Sequence, residues 1–283
     1  MKFQNNILVL GSSGQIGSYL KKKIKKKNFF LERSQFDYLK IKKLRKFCTK
    51  SKIRTIINCA AYTNVDLAEI ERKKCKQINH LFLVELSKIC YELDIFLIHF
   101  STDFVFDGKK NIYFETDKPN PINYYGKTKL DGERAIIKSK CQYLILRVSW
   151  LYSKLNNNFP KKIIKLFKKN KSANIVADQF GSPTSVRLIY KVLVKILKKN
   201  IKNEIFHLSC KGKTSWYSFA KIVLNLNKNK NYKINKIKSS DYLTKANRPQ
   251  CSYLSTKKIS KMFKLNIPYW KKEYINFIKK TDE

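Results

Sequence analysis

The sequence predicts an α/β protein, a doubly wound parallel sheet with helices on both faces and a smaller C-terminal lobe. Two observations support this fold class. Short apolar segments alternate with amphipathic helical segments over residues 1–150, which is typical of parallel strands joined by crossover helices. The first apolar segment also leads directly into a glycine-rich turn. With 283 residues, the chain is long enough for one large domain or two modest ones.

Each element follows from the spacing of its apolar residues. Short apolar runs predict strands at residues 7–10, 29–31, 55–59, 95–100 and 143–148. Apolar side chains at helical spacing predict helices at residues 15–27, 41–50 and 71–92, and another begins near Tyr125. The alternation becomes irregular further on. We therefore expect a first domain over residues 1–150 and a lobe over residues 151–283, some elements of which return to the sheet.

The net charge of +41 raises the question of nucleic-acid binding. The lysines are spread over nearly every predicted helix instead of forming one stripe. Lysines 21–23 and 25–27, for example, surround a helical stripe of Ile16, Leu20 and Ile24 and are best explained as its solvated face. Arginine, the usual residue for contacting base edges, is scarce beside lysine. We expect no specific nucleic-acid partner, only nonspecific attraction to phosphate at low salt.

Other bulk features indicate a cytoplasmic protein with no membrane partner. No apolar run approaches the roughly 20 residues of a membrane-spanning helix. The apolar run at residues 7–10 is too short for the core of a signal peptide. The seven cysteines are scattered and form no C-x-x-C pair, so we expect free thiols in a reducing compartment.

The glycine-rich turn predicts a dinucleotide site. Gly11, Gly14 and Gly17 form a G-x-x-G-x-x-G loop that follows the first strand and opens the first helix. Glycine lets the backbone approach a pyrophosphate, and the helix N-terminus supplies amide donors. Asp37 could hold the adenosine ribose, and Arg33 could pair with a 2′-phosphate, which favours NADPH over NADH. A surface charge near a turn is the alternative explanation for each of the two.

A hydroxyl, a phenol and a lysine are spaced as ketone reduction requires. Tyr125 and Lys129 lie one helical turn apart on one face. An ammonium beside the phenol would lower the pKa of Tyr125 and let it exchange a proton near neutral pH. Ser101 and Thr102 follow an apolar strand, where the ligand crevice of an open α/β sheet lies. Neighbours on a strand point to opposite faces, so only one of these two hydroxyls is expected to face a ketone.

Together these motifs resemble the dTDP-4-dehydrorhamnose reductase family of extended short-chain dehydrogenase/reductases. The resemblance runs from residue 7 to about residue 254. Besides the glycine loop, the matching segments are N-C-A-A-Y-T-N-V-D-x-A-E, H-F-S-T-D-F-V-F-D-G, P-x-N-Y-Y-G-K-T-K-L-D-G-E, L-R-V-S-W-L-Y, D-Q-F-G-S-P-T-S, H-L-S-C-K-G-K-T-S-W-Y-S-F-A and N-R-P-Q-C-S-Y-L. The family departs from this sequence at Phe104, where its members commonly have Tyr.

The resemblance implies a Rossmann-type sheet with a substrate-binding C-terminal lobe, and NADPH-dependent reduction of dTDP-4-dehydro-L-rhamnose in polysaccharide biosynthesis, with NADH as the alternative cofactor. By motif position Tyr125 is the proton donor, Lys129 binds the nicotinamide ribose and tunes Tyr125, and Thr102 hydrogen-bonds the substrate oxygen. The implied cofactor contacts are Gly14, Gln15, Ile16, Asp37, Tyr38, Ala60, Ala61, Tyr62 and Thr63. To these we add Tyr125, Lys129, the loop residues Gly11 and Gly17, and Arg33. The implied substrate contacts are Thr102, Asp103, Trp150 and Arg248, although Trp150 could equally belong to the core.

The sequence leaves alternatives open for the function of the protein. The substrate could be another nucleotide-linked 4-keto-6-deoxy sugar, or the chain could be a non-catalytic regulatory subunit, since the family includes one of methionine adenosyltransferase. Magnesium has been associated with some members, but no carboxylate cluster here has suitable ligand spacing, so we expect no metal. His80, His99 and His207 are isolated and are expected to be structural. A homodimer is what the family suggests.

Overall fold

A six-stranded parallel sheet forms the centre of the computed structural model, which describes residues 6–24, 28–32, 35, 41–199, 201–227 and 232–279. Its first five strands are β1 (Ile7–Leu10), β2 (Phe29–Leu31), β3 (Thr55–Asn58), β4 (Phe96–Thr102) and β5 (Tyr143–Val148). The later strands are β6 (Leu151–Tyr152), β7 (Ser172–Val176), β8 (Phe180–Gly181), β9 (Thr184–Ser185), β10 (Glu204–Leu208), β11 (Thr214–Ser215) and β12 (Lys233–Ile237).

The helices lie between these strands. Those of the first half are α1 (Gln15–Lys23), α2 (Ile41–Lys50), α3 (Val65–Ala68), α4 (Arg72–Lys76), α5 (Phe82–Glu92) and α6 (Tyr124–Lys138). Those of the second half are α7 (Phe159–Lys169), α8 (Val186–Ile196), α9 (Trp216–Leu226), α10 (Lys257–Phe263) and α11 (Trp270–Lys279). Within the described ranges, no helix has both the length and the apolar character of a membrane span.

The order of the sheet, β2–β1–β3–β4–β5–β10, confirms the predicted doubly wound parallel fold. The chain moves outward from β1 to β2 and then returns to the other side of β1 to form β3. The connections after β1 and β3 therefore leave in opposite directions. This arrangement opens a crevice at the carboxyl ends of β1 and β3, which is where open α/β sheets bind ligands.

Apolar side chains cover both faces of the sheet, which is why its strands are nearly continuous hydrophobic runs. Ile7 and Val9 of β1 pack into one core with residues of α1 and α8. Leu8 and Leu10, the alternate residues of the same strand, pack into a second core with residues of α2 and α5. The period of two along β1 thus divides its side chains between the two layers.

The C-terminal half contributes to the sheet and also has a core of its own. β10 extends the sheet beside β5. Aromatic residues of α7, α9 and α11 surround Tyr152 in a separate cluster, where the ring of Tyr152 meets those of Tyr274 and Phe277 edge-on. The assignment of residues 1–150 and 151–283 to a cofactor domain and a substrate lobe stays a prediction.

Some predicted bounds were wrong. The strand expected at 55–59 ends at Asn58, and the one expected at 95–100 runs from Phe96 to Thr102. The long helix expected at 71–92 is interrupted by a π-helical turn over Gln77–Leu81, which the peptide segment after β3 and the neighbouring helix α6 both contact. Helix α1 is described as far as Lys23, and residues 25–27 of its predicted extent lie outside the described residues.

Candidate active site

The glycine loop lies at the carboxyl end of β1, against the segment that follows β3. Gly11 has a φ of 75°, in the left-handed region, and a Cβ there would lie 2.6 Å from the backbone nitrogen of Ala60. A Cβ on Gly17 would lie 2.2 Å from the carbonyl oxygen of Gly11. Glycine is therefore required at both positions for the loop to close against α1 and β3.

A buried hydroxyl without a partner indicates that this loop is built for a polar ligand. The Ser12 side chain is 1% exposed, and its Oγ has no hydrogen-bond partner among the described residues. Ser12 lies three residues before Gln15, the first residue of α1, whose first amides have no side-chain cap from Gly14. Unpaired buried donors beside a positive helix end fit a pyrophosphate. Gln15 is partly exposed here, whereas the Ile16 side chain is buried in the core.

The last two glycines of the loop, Gly14 and Gly17, give a matched pair of variants. Gly17→Ala is expected to destabilise the protein by about 1–3 kcal/mol, because the new Cβ would meet backbone atoms that cannot move aside. Gly14→Ala is expected to cost less than about 1 kcal/mol, because its nearest contact is 3.4 Å away and only a favourable N-cap is lost. Thermal unfolding of both variants would test this, and a Gly14→Ala loss equal to or larger than that of Gly17→Ala would contradict it.

The segment after β3 is held by the amide of Asn79, which lies in the π-helical turn. Asn79 Oδ1 accepts from the Tyr62 amide at 2.8 Å, and its Nδ2 donates to the Tyr62 carbonyl at 3.1 Å. The Tyr62 hydroxyl donates to Glu71 Oε2 at 3.1 Å. These bonds fix the backbone of residues 60–63 beside the glycine loop. Sequence reasoning missed Asn79; the only available signal was a polar residue in an otherwise apolar helical stripe.

Helix α6 places Tyr125 against the end of β4. Asn123 caps the helix by accepting from the Gly126 amide at 2.8 Å. A Cβ on Gly126 would lie 2.1 Å from the Phe104 carbonyl oxygen, so the helix start touches the backbone just after β4. The Tyr125 ring meets Phe104 edge-on at 5.9 Å, and the Thr102 hydroxyl lies close enough to the phenol to lower its pKa. The structure thus brings Thr102 and Tyr125 together.

The pKa of Tyr125 moves in the opposite direction from the sequence-based expectation. Burial raises it, the Thr102 hydroxyl offsets part of that rise, and the nearby Asp103 carboxylate adds to it. Lys129 does not counter this, because its Nζ donates to the Phe100 carbonyl at 2.7 Å and adjoins His99. The expectation that Lys129 lowers the pKa of Tyr125 was therefore wrong for the protein without bound cofactor or substrate. Tyr125 is a protonated phenol at neutral pH.

Ser101, the rival of Thr102, faces a buried ionic network instead. Its hydroxyl donates to Glu133 of α6. Arg147, opposite Ser101 on β5, binds the same carboxylate through Nη2 at 2.7 Å. His207, opposite Arg147 on β10, lies 3.4 Å from Arg147 Nη1. Burial and the Arg147 charge lower the pKa of His207 to about 3, which keeps the ring neutral, in line with the structural role expected for it.

Asp103 lies beside Thr102 as a buried carboxyl. It is 3% exposed and accepts hydrogen bonds from the hydroxyls of Thr102 at 3.1 Å and Ser252 at 2.5 Å. Burial raises the pKa of Asp103 to about 7, against the lowering effect of those two hydrogen bonds. This carboxyl can therefore either donate or accept a hydrogen bond near neutral pH. Ser252, from the C-terminal half, was missed by sequence reasoning.

Trp150 and Arg248 lie at the edges of the site. Trp150 has a φ of 45°, and its ring stacks on Trp216 at 3.4 Å and 4°. Its indole also presses on Gly181, where a Cβ would come within 2.5 Å. Such a left-handed backbone at a bulky residue persists only where the surroundings fix it. Arg248 donates to Asp66 Oδ2 at 2.7 Å, which ties the segment after β12 to α3.

Three predicted cofactor contacts, Arg33, Asp37 and Tyr38, lie outside the described residues. Across the described part of the chain, no group of three or more His, Cys, Asp and Glu side chains could hold a metal ion. The loop around Asn156, which the sequence did not indicate as functional, contacts the glycine loop. Asn156 Nδ2 donates to the Ser13 carbonyl at 2.8 Å, so residues of the second half contact the glycine loop.

The chain is similar to known proteins along nearly its whole length. A family model described as "RmlD substrate binding domain" matches residues 5–283. Curated proteins named dTDP-4-dehydrorhamnose reductase are 37% identical over 225 residues in Sinorhizobium fredii (76% of each chain) and 32% identical over 282 residues in Salmonella typhimurium (94% of each chain). The crystal structure of dTDP-4-dehydrorhamnose reductase from Bacillus anthracis, in complex with NADP, has a TM-score of 0.92 and 30% identity, covering 98% of this chain and 99% of that one.

Proposed function

The chain belongs to the dTDP-4-dehydrorhamnose reductase family, and on that premise we propose that it reduces the 4-keto group of dTDP-4-dehydro-L-rhamnose to dTDP-L-rhamnose with NADPH. The observation that carries the proposal is the meeting of Thr102 and Tyr125, with Lys129 one turn along α6, beside a glycine loop that fits a pyrophosphate. The NADP bound by the Bacillus anthracis relative supports the choice of cofactor. An intact set of three such residues favours an enzyme over a purely regulatory subunit.

Each residue of the site has a separate role in the proposed reaction. Reduced nicotinamide, when bound, supplies the hydride for the ketone carbon. Tyr125 is a protonated phenol at neutral pH and donates its proton to the ketone oxygen as negative charge develops there. The Thr102 hydroxyl, which lies near that phenol, holds the same oxygen in place. Lys129 and residues 60–63 would hold the nicotinamide ribose, and the loop from Gly11 to Gly17 would hold the pyrophosphate.

Substrate contacts are proposed for the polar groups around this centre. Asp103 can share a proton with a sugar hydroxyl, because its pKa of about 7 leaves both protonation states accessible. The Trp150 ring, stacked on Trp216, offers an apolar surface for the sugar. Arg248 carries a cation near the start of α6 that suits the diphosphate of a sugar nucleotide, in exchange for its present partner Asp66. No magnesium site is proposed.

The test is NADPH oxidation by the purified protein with two substrates offered in parallel. We expect turnover with dTDP-4-dehydro-L-rhamnose. A relative from Streptomyces niveus, 30% identical over 224 residues, is named dTDP-4-keto-6-deoxy-D-glucose reductase, so that sugar is the competing substrate. A higher kcat/KM for the competitor would replace the proposed substrate. NADPH binding without turnover of either sugar would overturn the enzymatic proposal in favour of a regulatory subunit.

Cofactor choice is proposed to depend on Arg33. Arg33→Ala is expected to raise the KM for NADPH by roughly tenfold to a hundredfold, because a charge-assisted bond to the 2′-phosphate contributes about 1.5–3 kcal/mol. The KM for NADH, which lacks that phosphate, is expected to stay nearly unchanged. Arg54→Ala is the matched control, because Arg54 is exposed at the amino end of β3, away from the crevice. Equal effects of Arg33→Ala on both cofactors would contradict the assignment.

We propose that the protein works in the cytoplasm. All seven cysteines are free thiols and six of them are buried, which supports a reducing cytoplasm. We also propose a homodimer with no specific nucleic-acid partner. Sedimentation of the purified protein would test assembly, and a monomer at micromolar concentration would overturn it.

A further inference from the structure

His99 is a buried histidine that the reaction described above does not use. It is 0% exposed on β4, in register with Asn58 of β3. Its Nδ1 lies 3.0 Å from Asn58 Nδ2, and its Nε2 lies 3.1 Å from Lys129 Nζ. The ring therefore bridges the end of a strand at the ligand crevice and the lysine of the active site.

The orientation of the Asn58 amide is fixed from its other side. The Ala60 amide donates to Asn58 Oδ1 at 3.1 Å, and only the carbonyl oxygen of a carboxamide can accept that bond. The NH₂ group of Asn58 must then face His99 and donate to its Nδ1. A neutral imidazole that accepts at Nδ1 carries its proton on Nε2. The neighbours of His99 thus select its Nε2–H tautomer.

This tautomer places a donor against Lys129. An ammonium has three donors and no lone pair, so an Nε2–H aimed at it forms no hydrogen bond. A neutral amine can accept from Nε2–H while it still donates to the Phe100 carbonyl at 2.7 Å. The bonds from Ala60 through Asn58 and His99 to Lys129 and Phe100 then all run in one direction, each with a donor and an acceptor.

The other groups around Lys129 act on its charge in opposite directions. Glu133 from α6, Cys75 from α4 and Cys59 after β3 face it and stabilise its charged form. Glu133 is shared with Arg147 and Ser101, which already occupy both of its oxygens. Burial is the largest influence and lowers the pKa of Lys129 to about 8. Burial and the adjacent lysine both lower the pKa of His99, so the ring stays neutral.

We propose that Asn58 and His99 are positioning residues that control whether Lys129 carries a proton. Protonation of Lys129 requires His99 to move its own proton from Nε2 to Nδ1 and the Asn58 amide to turn. Turning that amide releases the Ala60 N–H, which belongs to the segment proposed to contact the cofactor. The charge of Lys129 is thereby coupled to the backbone of residues 60–63.

The first test needs no variant and no activity. Histidine labelled with ¹⁵N reports the tautomer of each ring, and the chain has only three histidines. We expect His99 to carry its proton on Nε2 at about pH 10 and on Nδ1 at about pH 6, on either side of the pKa of Lys129. His80→Gln and His207→Gln assign the other two signals. An Nδ1–H tautomer at the higher pH, or one tautomer throughout, would overturn the proposal.

The second test reverses the donor and acceptor roles in the hydrogen bonds between residue 58, His99 and Lys129. It rests on the proposed function, because it measures turnover. In Asn58→Asp a carboxylate accepts from both the Ala60 amide and His99 Nδ1–H, so Nε2 presents a lone pair to the Lys129 ammonium. The alkaline limb of the kcat/KM profile is expected to move upward by about one pH unit or more, a tenfold change in proton concentration.

The double variant Asn58→Asp with His99→Phe separates the effect transmitted through the His99 ring from the direct attraction between the new carboxylate and Lys129. The shift is expected to fall to less than half without the imidazole, because only through-space attraction remains. An equal shift in the presence and absence of His99 would overturn the proposal. If the protein reduces neither sugar, the proposed function fails, and the tautomer measured in the unaltered protein still decides the role of His99.

Discussion

Tyr125→Phe is expected to bind NADPH as the unaltered protein does and to lose about a hundredfold or more in kcat, the scale of general acid catalysis. Only the phenolic hydroxyl is removed. The ring keeps its edge-on contact with Phe104 at 5.9 Å, and the Asn123 cap of α6 does not involve it. Steady-state kinetics and NADPH titration by fluorescence would measure the two quantities separately.

Tyr124→Phe is the matched control for that variant. It removes a neighbouring phenol on the same helix, whose ring lies under the Arg72 guanidinium at 5.0 Å, and no described hydrogen bond uses its hydroxyl. We expect its kcat to stay within about twofold of the original, since no proton donor is lost. Turnover by Tyr125→Phe at the level of this control would remove Tyr125 from the role of proton donor.

Glu133→Gln is expected to destabilise the fold by about 3–5 kcal/mol, the cost of leaving a buried charge without its partner. Glu133 and Arg147 are 1% and 3% exposed, with 2.7 Å between Oε2 and Nη2. The substitution keeps the size of the side chain but leaves the Arg147 guanidinium uncompensated between the strands and the ring of Phe106. Urea unfolding followed by tryptophan fluorescence would measure the change.

Asp131→Asn, two residues earlier on the same helix, is the control for the loss of a carboxylate. Its ion pair with Arg134 is 3.6 Å long, and the arginine side chain is 68% exposed. Solvent screens such pairs, so we expect a change of about 0–1 kcal/mol. If the two variants lowered the free energy of unfolding equally, the network of Glu133, Arg147 and Ser101 would not be a stabilising feature of this fold.

Much of the fold could be predicted because it depends on local patterns. The strands at 7–10, 29–31 and 143–148 and the helix at 41–50 have the predicted bounds. Their apolar residues alternate or recur with the period of the element, and that period is visible within a few residues. The π-helical turn at Gln77–Leu81 was not predictable, because the packing partners that accompany it, Tyr62 and Gly132, lie elsewhere in the chain.

The candidate site also has features that the sequence could predict and features that needed the structure. The glycine spacing and the one-turn separation of Tyr125 and Lys129 are local, so sequence alone was enough to select them. The choice between Ser101 and Thr102 needed the structure, which shows the Ser101 hydroxyl bonded to Glu133, whereas the Thr102 hydroxyl lies near the Tyr125 phenol. The pKa of Tyr125 was misjudged because a short spacing to Lys129 says nothing about burial or about the other partners of that lysine.

The sequence by itself therefore determined the α/β class, the glycine loop, the residues that could act on a ketone and the family. The tertiary structure alone decided which of those residues meet and in which protonation state. His99 and Asn58 are 41 residues apart, and His99 and Lys129 are 30 apart, yet each pair lies within about 3 Å. Hydrogen bonding and desolvation act over a few ångströms of space regardless of distance along the chain, so only the folded arrangement sets them.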